Sequence, residues 1–167
     1  MPERDASPPV KIRRAVRGDA PALGRLGTAM VETHHAFDAR RFLAPTSGTR
    51  EAYGSFLASQ IDEPDVAVLV ADDGAAVVGY AYAVMEGYDY MALRGPAGVL
   101  HDVIVDPDHR DRGVGRLLVE AALDYLRSRG AARVVLSAAE QNGAAQHLFA
   151  SLGFRRTMVE MTRELDD

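Results

Sequence analysis

The sequence predicts an α/β fold in one domain: a mixed, mostly antiparallel sheet flanked by helices. Three observations carry this. Compact apolar runs at Val66 to Ala71 and Ala76 to Met85 flank Asp72-Asp73-Gly74, the pattern of a hairpin. A long amphipathic stretch opens near Gly113 with Val114, Leu117, Leu118, Ala121, Ala122, Tyr125 and Leu126 on one face and Gly130 as its stop. The elements follow the order strand, two helices, three strands, helix, strand, helix, strand, which suits a sheet covered on its faces.

Val10 to Val16 alternates as a first strand, and Arg17-Gly18-Asp19 supplies a turn with Asp19 as helix N-cap. Leu23, Leu26, Met30 and Val31 recur at helical spacing to about His34, against the weakening effect of Gly24 and Gly27. His35 to Gly48 reads as a loop, followed by a second helix carrying Tyr53, Phe56, Leu57 and Ile61. After the hairpin, Glu86 to Gly98 is glycine- and tyrosine-rich surface loop, and Val99 to Val105 is a strand that Asp106-Pro107 ends. Beyond the long helix, Arg133 to Ala138 is a strand. Asn142 caps a short helix with Ala145, Leu148, Phe149 and Leu152 inward, and Gly153 ends it. A last strand is expected from about Arg155 to Arg163.

Length and composition agree with one domain over 10–167 behind a flexible tail at 1–9. The chain has 167 residues, 47% of them hydrophobic and 26% charged, enough for a sizeable core. A net charge of −5 argues against a nucleic-acid partner, since such binding draws on clustered cations. No cysteine is present, which excludes disulfides, thiolate metal sites and a cysteine nucleophile. Lys11 is the only lysine, so the body of the domain offers none for Schiff-base chemistry. The start lacks the apolar run of a signal peptide or membrane span, so a cytoplasmic protein is expected.

The chemistry-bearing stretch is Val103-Ile104-Val105-Asp106-Pro107-Asp108-His109-Arg110-Asp111-Arg112-Gly113-Val114-Gly115, which runs from a strand into the best helix. The first turn of a helix has unpaired N–H groups and a partial positive charge, and residues lacking bulky side chains let a phosphate approach. Arg110, Arg112 and Arg116 surround that turn with forks suited to phosphate oxygens. The run is neither an ATP-type P-loop nor a dinucleotide fingerprint, because it lacks the lysine of one and the third glycine of the other. Two glycines alone would equally serve a tight loop.

Arg110-Asp111-Arg112-Gly113-Val114-Gly115, placed after a Val-Ile-Val-Asp-Pro strand, resembles the Gln/Arg-x-x-Gly-x-Gly/Ala pattern of the GCN5-related N-acetyltransferase superfamily. Asn142, Ala145, Leu148-Phe149 and Leu152-Gly153-Phe154 resemble that family's later motif, a short helix ending in Leu-Gly-Phe. The resemblance implies a sheet splayed between strands 4 and 5. It implies acetyl-CoA as cosubstrate, with the pyrophosphate on Arg110, Asp111 and the backbone amides of Arg112, Gly113, Val114, Gly115 and Arg116. It also implies pantetheine along Val103, Ile104 and Val105, with Asn142 and Phe149 as further cofactor contacts. No metal is expected, and adjacent His34 and His35 diverge on a helix rather than forming a pair.

Acyl transfer to an amine requires a proton acceptor, oxyanion stabilisation and often a proton for the leaving thiolate. For the oxyanion the resemblance suggests the N–H of Val103 or Ile104. His101, Asp102 and Glu86 are the candidate bases, with Asp102 first and Glu86 second. Alternate strand residues face opposite sides, so His101 and Asp102 can share a face only across a bulge. Where many members carry a tyrosine acid, this chain has Phe149, leaving that role absent or filled by Ser137, Tyr88, Tyr90 or solvent.

The acceptor is expected against the early helices and the 86–96 loop, with Glu32, His34, His35, Asp38, Tyr82, Tyr88 and Asp89 as lining suited to a cationic amine. The reading is an N-acetyltransferase acting on a small-molecule amine or a peptide. A non-catalytic acyl-CoA-binding module of the same fold, and a phosphate-ligand protein of another fold, are the alternatives. A homodimer through the last strand follows from its exposed edge.

Overall fold

The computed structural model describes residues 9–165, so the tail expected at 1–9 lies, but for Pro9, outside them. The elements are β1 (Lys11–Arg14), α1 (Ala20–Phe37), α2 (Thr49–Gln60), β2 (Val66–Asp72), β3 (Val77–Glu86), β4 (Ala97–Val105), α3 (Val114–Ser128), β5 (Val134–Val135) and α4 (Gly143–Ser151). The sheet runs in the order β1-β2-β3-β4-β5. Its first three pairings are antiparallel, and β4 with β5 is parallel.

The apolar run of β2 is continuous because both its faces are covered. Ala67, Leu69 and Ala71 face α3, where Leu118, Val119, Ala122 and Leu126 are fully buried. Val66, Val68 and Val70 point the other way, toward Leu23 and Leu26 of α1 and Leu57 of α2. Each fully buried leucine contributes about 1.5–3 kcal/mol of transfer free energy.

The glycines that weaken α1 as a helix are what let it lie against α2. A Cβ on Gly24 would fall 2.2 Å from the Arg50 carbonyl oxygen, and one on Gly54 would fall 2.5 Å from that of Ala20. The two helices therefore touch backbone to backbone, and this contact sets where α2 presents Tyr53.

Two elements differ from the sequence expectation. β5 pairs over only Val134–Val135 rather than 133–138, because β4 and β5 meet at Gly98 and Val99 and then part. This is the expected splay, and among the described residues no strand pairs with that side of β4 from Leu100 to Val105. The last strand expected over 155–163 does not form. Among the described residues, 155–165 make no backbone hydrogen bond and are exposed throughout. A strand exists only against a partner, and the described chain offers this segment none. At the front, Asp19 occupies the N-cap position of α1, but its carboxylate instead accepts from the Val16 N–H at 2.8 Å and the Arg13 guanidinium at 2.8 Å.

Candidate active site

The β3–β4 ladder slips by one residue at its centre. Tyr82 faces Asp102, whereas Ala83 faces Leu100, so His101 is an extra residue in β4. Such a bulge turns two consecutive side chains toward one side of the sheet. His101 and Asp102 both line two adjoining clefts as a result.

The first cleft, of about 340 Å³, lies between α1, the loop after β5 and α4, and includes His34, Val103, Ser137, Asn142 and Phe149. The second, of about 320 Å³, is walled by Ala52, Tyr53, Phe56 and Tyr82. Tyr53, His101 and Asp102 belong to both, which makes them the junction.

Asp102 Oδ2 accepts a hydrogen bond from the hydroxyl of fully buried Tyr80 at 3.0 Å. Burial raises the carboxyl's pKa above its ordinary value, opposed by the Tyr80 hydroxyl and by the nearby imidazoles of His101 and His34. A carboxyl so shifted moves toward the range in which a general base works best at neutral pH.

His101 is fixed on two sides. Its Nε2 lies 2.7 Å from Glu86 Oε1, and the other Glu86 oxygen accepts from Arg94 at 2.9 Å. The imidazole also stacks on Tyr82, 5.5 Å between centroids and 27° between planes. Glu86 thus acts on the junction through His101, without lining either cleft.

Beyond β4 the chain makes a short turn at Pro107–His109, with Asp106 Oδ1 accepting from the Asp108 N–H at 3.2 Å. Asp111 at φ 58° and Gly113 at φ 79° then bend it into α3, whose N-terminus no side chain caps. Gly113 is needed for its left-handed backbone. Gly115 is required by neither conformation nor packing, since a Cβ there would meet Leu148 Cδ2 at 3.4 Å and Val105 Cγ2 at 3.8 Å, both ordinary contacts. The first amides of α3 are uncapped and nothing lies within 4 Å of a Cβ built at Gly113, so the residues present fit a pyrophosphate. Arg110 donates to the Val105 carbonyl at 3.2 Å and Arg116 to Ser151 Oγ at 2.7 Å, which holds both arginines beside this turn.

Asn142 Oδ1 caps α4 by accepting from the Ala145 N–H at 3.1 Å while the residue lines the first cleft. Phe149 packs edge-on against Phe154 at 5.7 Å, and Ser137 provides a hydroxyl in the same cleft. Of the other sequence candidates, Glu32, His35, Asp38, Tyr88, Asp89 and Tyr90 line neither cleft. Tyr88 is 69% exposed and stacks on Tyr90 in the β3–β4 loop, and Asp38 Oδ1 accepts from the Arg40 and Arg41 amides. Both are loop residues whose orientation is set by local turns rather than by a pattern in the chain.

Sequence reasoning did not assign Tyr53, Phe56, Tyr80 or Arg94 to the site. The spacing of Tyr53 and Phe56 marked one face of α2, but nothing in it separates a core face from a cleft wall. Among the described residues no helix is long and apolar enough to cross a membrane, and no cluster of three or more His, Asp or Glu is arranged to hold a metal.

The model of the acetyltransferase (GNAT) family matches residues 31–154. A mycothiol acetyltransferase of Thermobispora bispora is 41% identical over 96 residues, 55% of this chain and 31% of that protein. An L-amino acid N-acyltransferase of Escherichia coli is 35% identical over 91 residues, 52% of this chain and 49% of that protein. The chain thus spans half or less of the length of these relatives. The solved tetramutant of the BH1408 protein from Bacillus halodurans superimposes with a TM-score of 0.80 at 23% identity, over 93% of this chain and 99% of that one.

Proposed function

We propose that this chain, which belongs to the acetyltransferase (GNAT) family, transfers an acyl group from acetyl-CoA to a primary amine of a small molecule or peptide by direct attack. The observation that carries this is the bulge, which sets His101 and Asp102 where the two clefts join. One cleft lies beside the splayed edge of β4 from Leu100 to Val103, with Leu136 to Ala138 across from it. The other opens outward past Phe56, which is 49% exposed. The two relatives, named as an acetyltransferase and an N-acyltransferase, support the same reading.

When bound, acetyl-CoA supplies the thioester carbonyl. The Arg110 side chain, the backbone of Asp111 and the amides of Arg112 to Arg116 hold its pyrophosphate, Val103 to Val105 run beside its pantetheine arm, and Asn142 and Phe149 complete the wall. An acceptor arrives as an ammonium and must lose a proton before its lone pair can attack. Asp102 takes that proton, and His101, oriented by Glu86, keeps the amine at the junction. The nitrogen–carbon bond forms as the carbon–sulfur bond breaks. The attached nitrogen gives its second proton to Ser137 as the serine hydroxyl passes its own to the sulfur, so the serine ends as it began; the requirement is modest because thiol pKa values are about 8.5.

Phe149, which has no proton to give, favours a second reading in which the fold binds acyl-CoA without turnover. Continuous release of free thiol from acetyl-CoA, measured against pools of primary amines and short peptides, separates the two. Amine-dependent release supports transfer, and acetyl-CoA binding without release supports the second reading.

The chain is further proposed to act in the cytoplasm and to pair with a second copy through residues 155–163. That segment has no backbone partner among the described residues and exposes Val159 and Met161. A monomer by light scattering at working concentration refutes the pairing.

A further inference from the structure

We propose that the acceptor is a primary amine carried on an aromatic group, with no carboxylate beside the amine, and that the ring sits in the cleft of Tyr53, Phe56 and Tyr82. This rests on the acyl-transfer reading and adds the substrate class to it.

The walls of that cleft are rings. Phe56 meets Tyr82 edge-on, 5.8 Å between centroids and 87° between planes. The Tyr82 hydroxyl is turned away to donate to Gln60 Oε1 at 3.4 Å, and its ring is stacked on His101. Away from the junction an entrant therefore meets mainly π faces and edges, which favours a flat apolar ring in offset or edge-on contact. A volume of about 320 Å³ accommodates one such ring with its short linker.

The charges in the cleft select the rest of the molecule. Asp102 is the only carboxylate on its wall, and no arginine or lysine lines it. An ammonium reaching the junction is matched by Asp102. A carboxylate next to that ammonium would face Asp102, while Arg41, which lines the adjoining cleft, is already paired with Glu160, so the contact is unfavourable where the group is largely buried. A second ammonium fares poorly too, since Glu86 is already held by His101 and Arg94. The geometry thus favours an arylalkylamine over an amino acid or a polyamine.

Equilibrium binding to the CoA-saturated protein tests this without relying on turnover. The probes are 2-phenylethylamine, phenylalanine, butylamine and 1,4-diaminobutane. The expected result is that 2-phenylethylamine binds at least about tenfold tighter than each of the others. Phe56→Ala and Tyr82→Leu, checked for unchanged far-ultraviolet dichroism and melting, should reduce it to the level of butylamine. Equal affinities, tight binding of phenylalanine, absence of 2-phenylethylamine binding, or indifference to both substitutions overturns the assignment. Binding of 2-phenylethylamine without thiol release overturns the transfer reading and leaves the cleft assignment standing. Thiol release with diaminobutane but not with 2-phenylethylamine does the reverse.

Discussion

His101 and Asp102 are consecutive in the chain yet stand on the same side of the sheet, because the register between β3 and β4 slips by one residue between them and Leu100. A regular strand would have sent one of the two into the opposite layer. The slip puts an imidazole held by Glu86 and a carboxyl held by Tyr80 at one junction.

If Asp102 takes the amine's proton, Asp102→Asn lowers turnover by about 10²–10⁴-fold and leaves the Kd for acetyl-CoA within about twofold. Tyr80→Phe keeps the packing but removes a hydrogen bond that lowers the carboxyl's pKa. The acid limb of kcat/KM against pH should therefore move to higher pH in that variant. An unmoved limb, or unchanged turnover in the Asn variant, counts against Asp102 as base.

Asp102 also links stability to pH. Burial raises its folded-state pKa above the value of about 3.9 expected when unfolded, so its contribution is present below that value and is lost as pH rises through the folded one. Asparagine mimics the protonated form. Thermal melts should show Asp102→Asn matching the wild type near pH 3–4 and exceeding it at pH 7. A constant gap across pH would contradict the burial argument.

Gly113 and Gly115 should separate by readout. Gly113→Ala places a side chain at φ 79° and costs roughly 1–2 kcal/mol of stability. Gly115→Ala adds a Cβ that its own chain tolerates, so melting should barely change while acetyl-CoA affinity falls by about tenfold or more. Parallel melts and binding titrations check both.

The element order up to β4, the β2–β3 hairpin, the Asn142 cap of α4 and the glycine-terminated ends of α3 and α4 are legible in the chain, since local patterns specify them, whereas the cap expected of Asp19 is not made. The bulge is not legible, because nothing in Leu100-His101-Asp102-Val103 records a slip in pairing with β3. The shortness of β5 and the unpaired state of 155–165 depend on where partners lie in space. Gly24 and Gly27 read as flaws in a helix until the position of α2 gave them a purpose.

Gly54→Ala tests that purpose. Its Cβ would press on the backbone carbonyl of Ala20, which cannot rotate away, so a loss of about 1–3 kcal/mol is expected. The shift of α2 that relieves the clash would move Tyr53 and raise KM for the amine more than for acetyl-CoA. Equal effects on both would detach Tyr53 from the acceptor side.

Phe149→Tyr adds a hydroxyl in the cleft that holds Ser137. With Ser137 supplying the proton, the variant should change kcat by less than about threefold, whereas Ser137→Ala should lower it by at least about tenfold, and most at high pH. A large gain in the tyrosine variant would show that protonation of the thiolate limits this protein.

The most direct test of the central claim is to follow thiol release from acetyl-CoA together with the mass of the amine product, in the wild type and in Asp102→Asn. Acyl transfer at this junction predicts equimolar thiol and acylated amine from the wild type, nearly abolished in the variant while acetyl-CoA binding persists. Tight acetyl-CoA binding with neither product, across all amines, would contradict it.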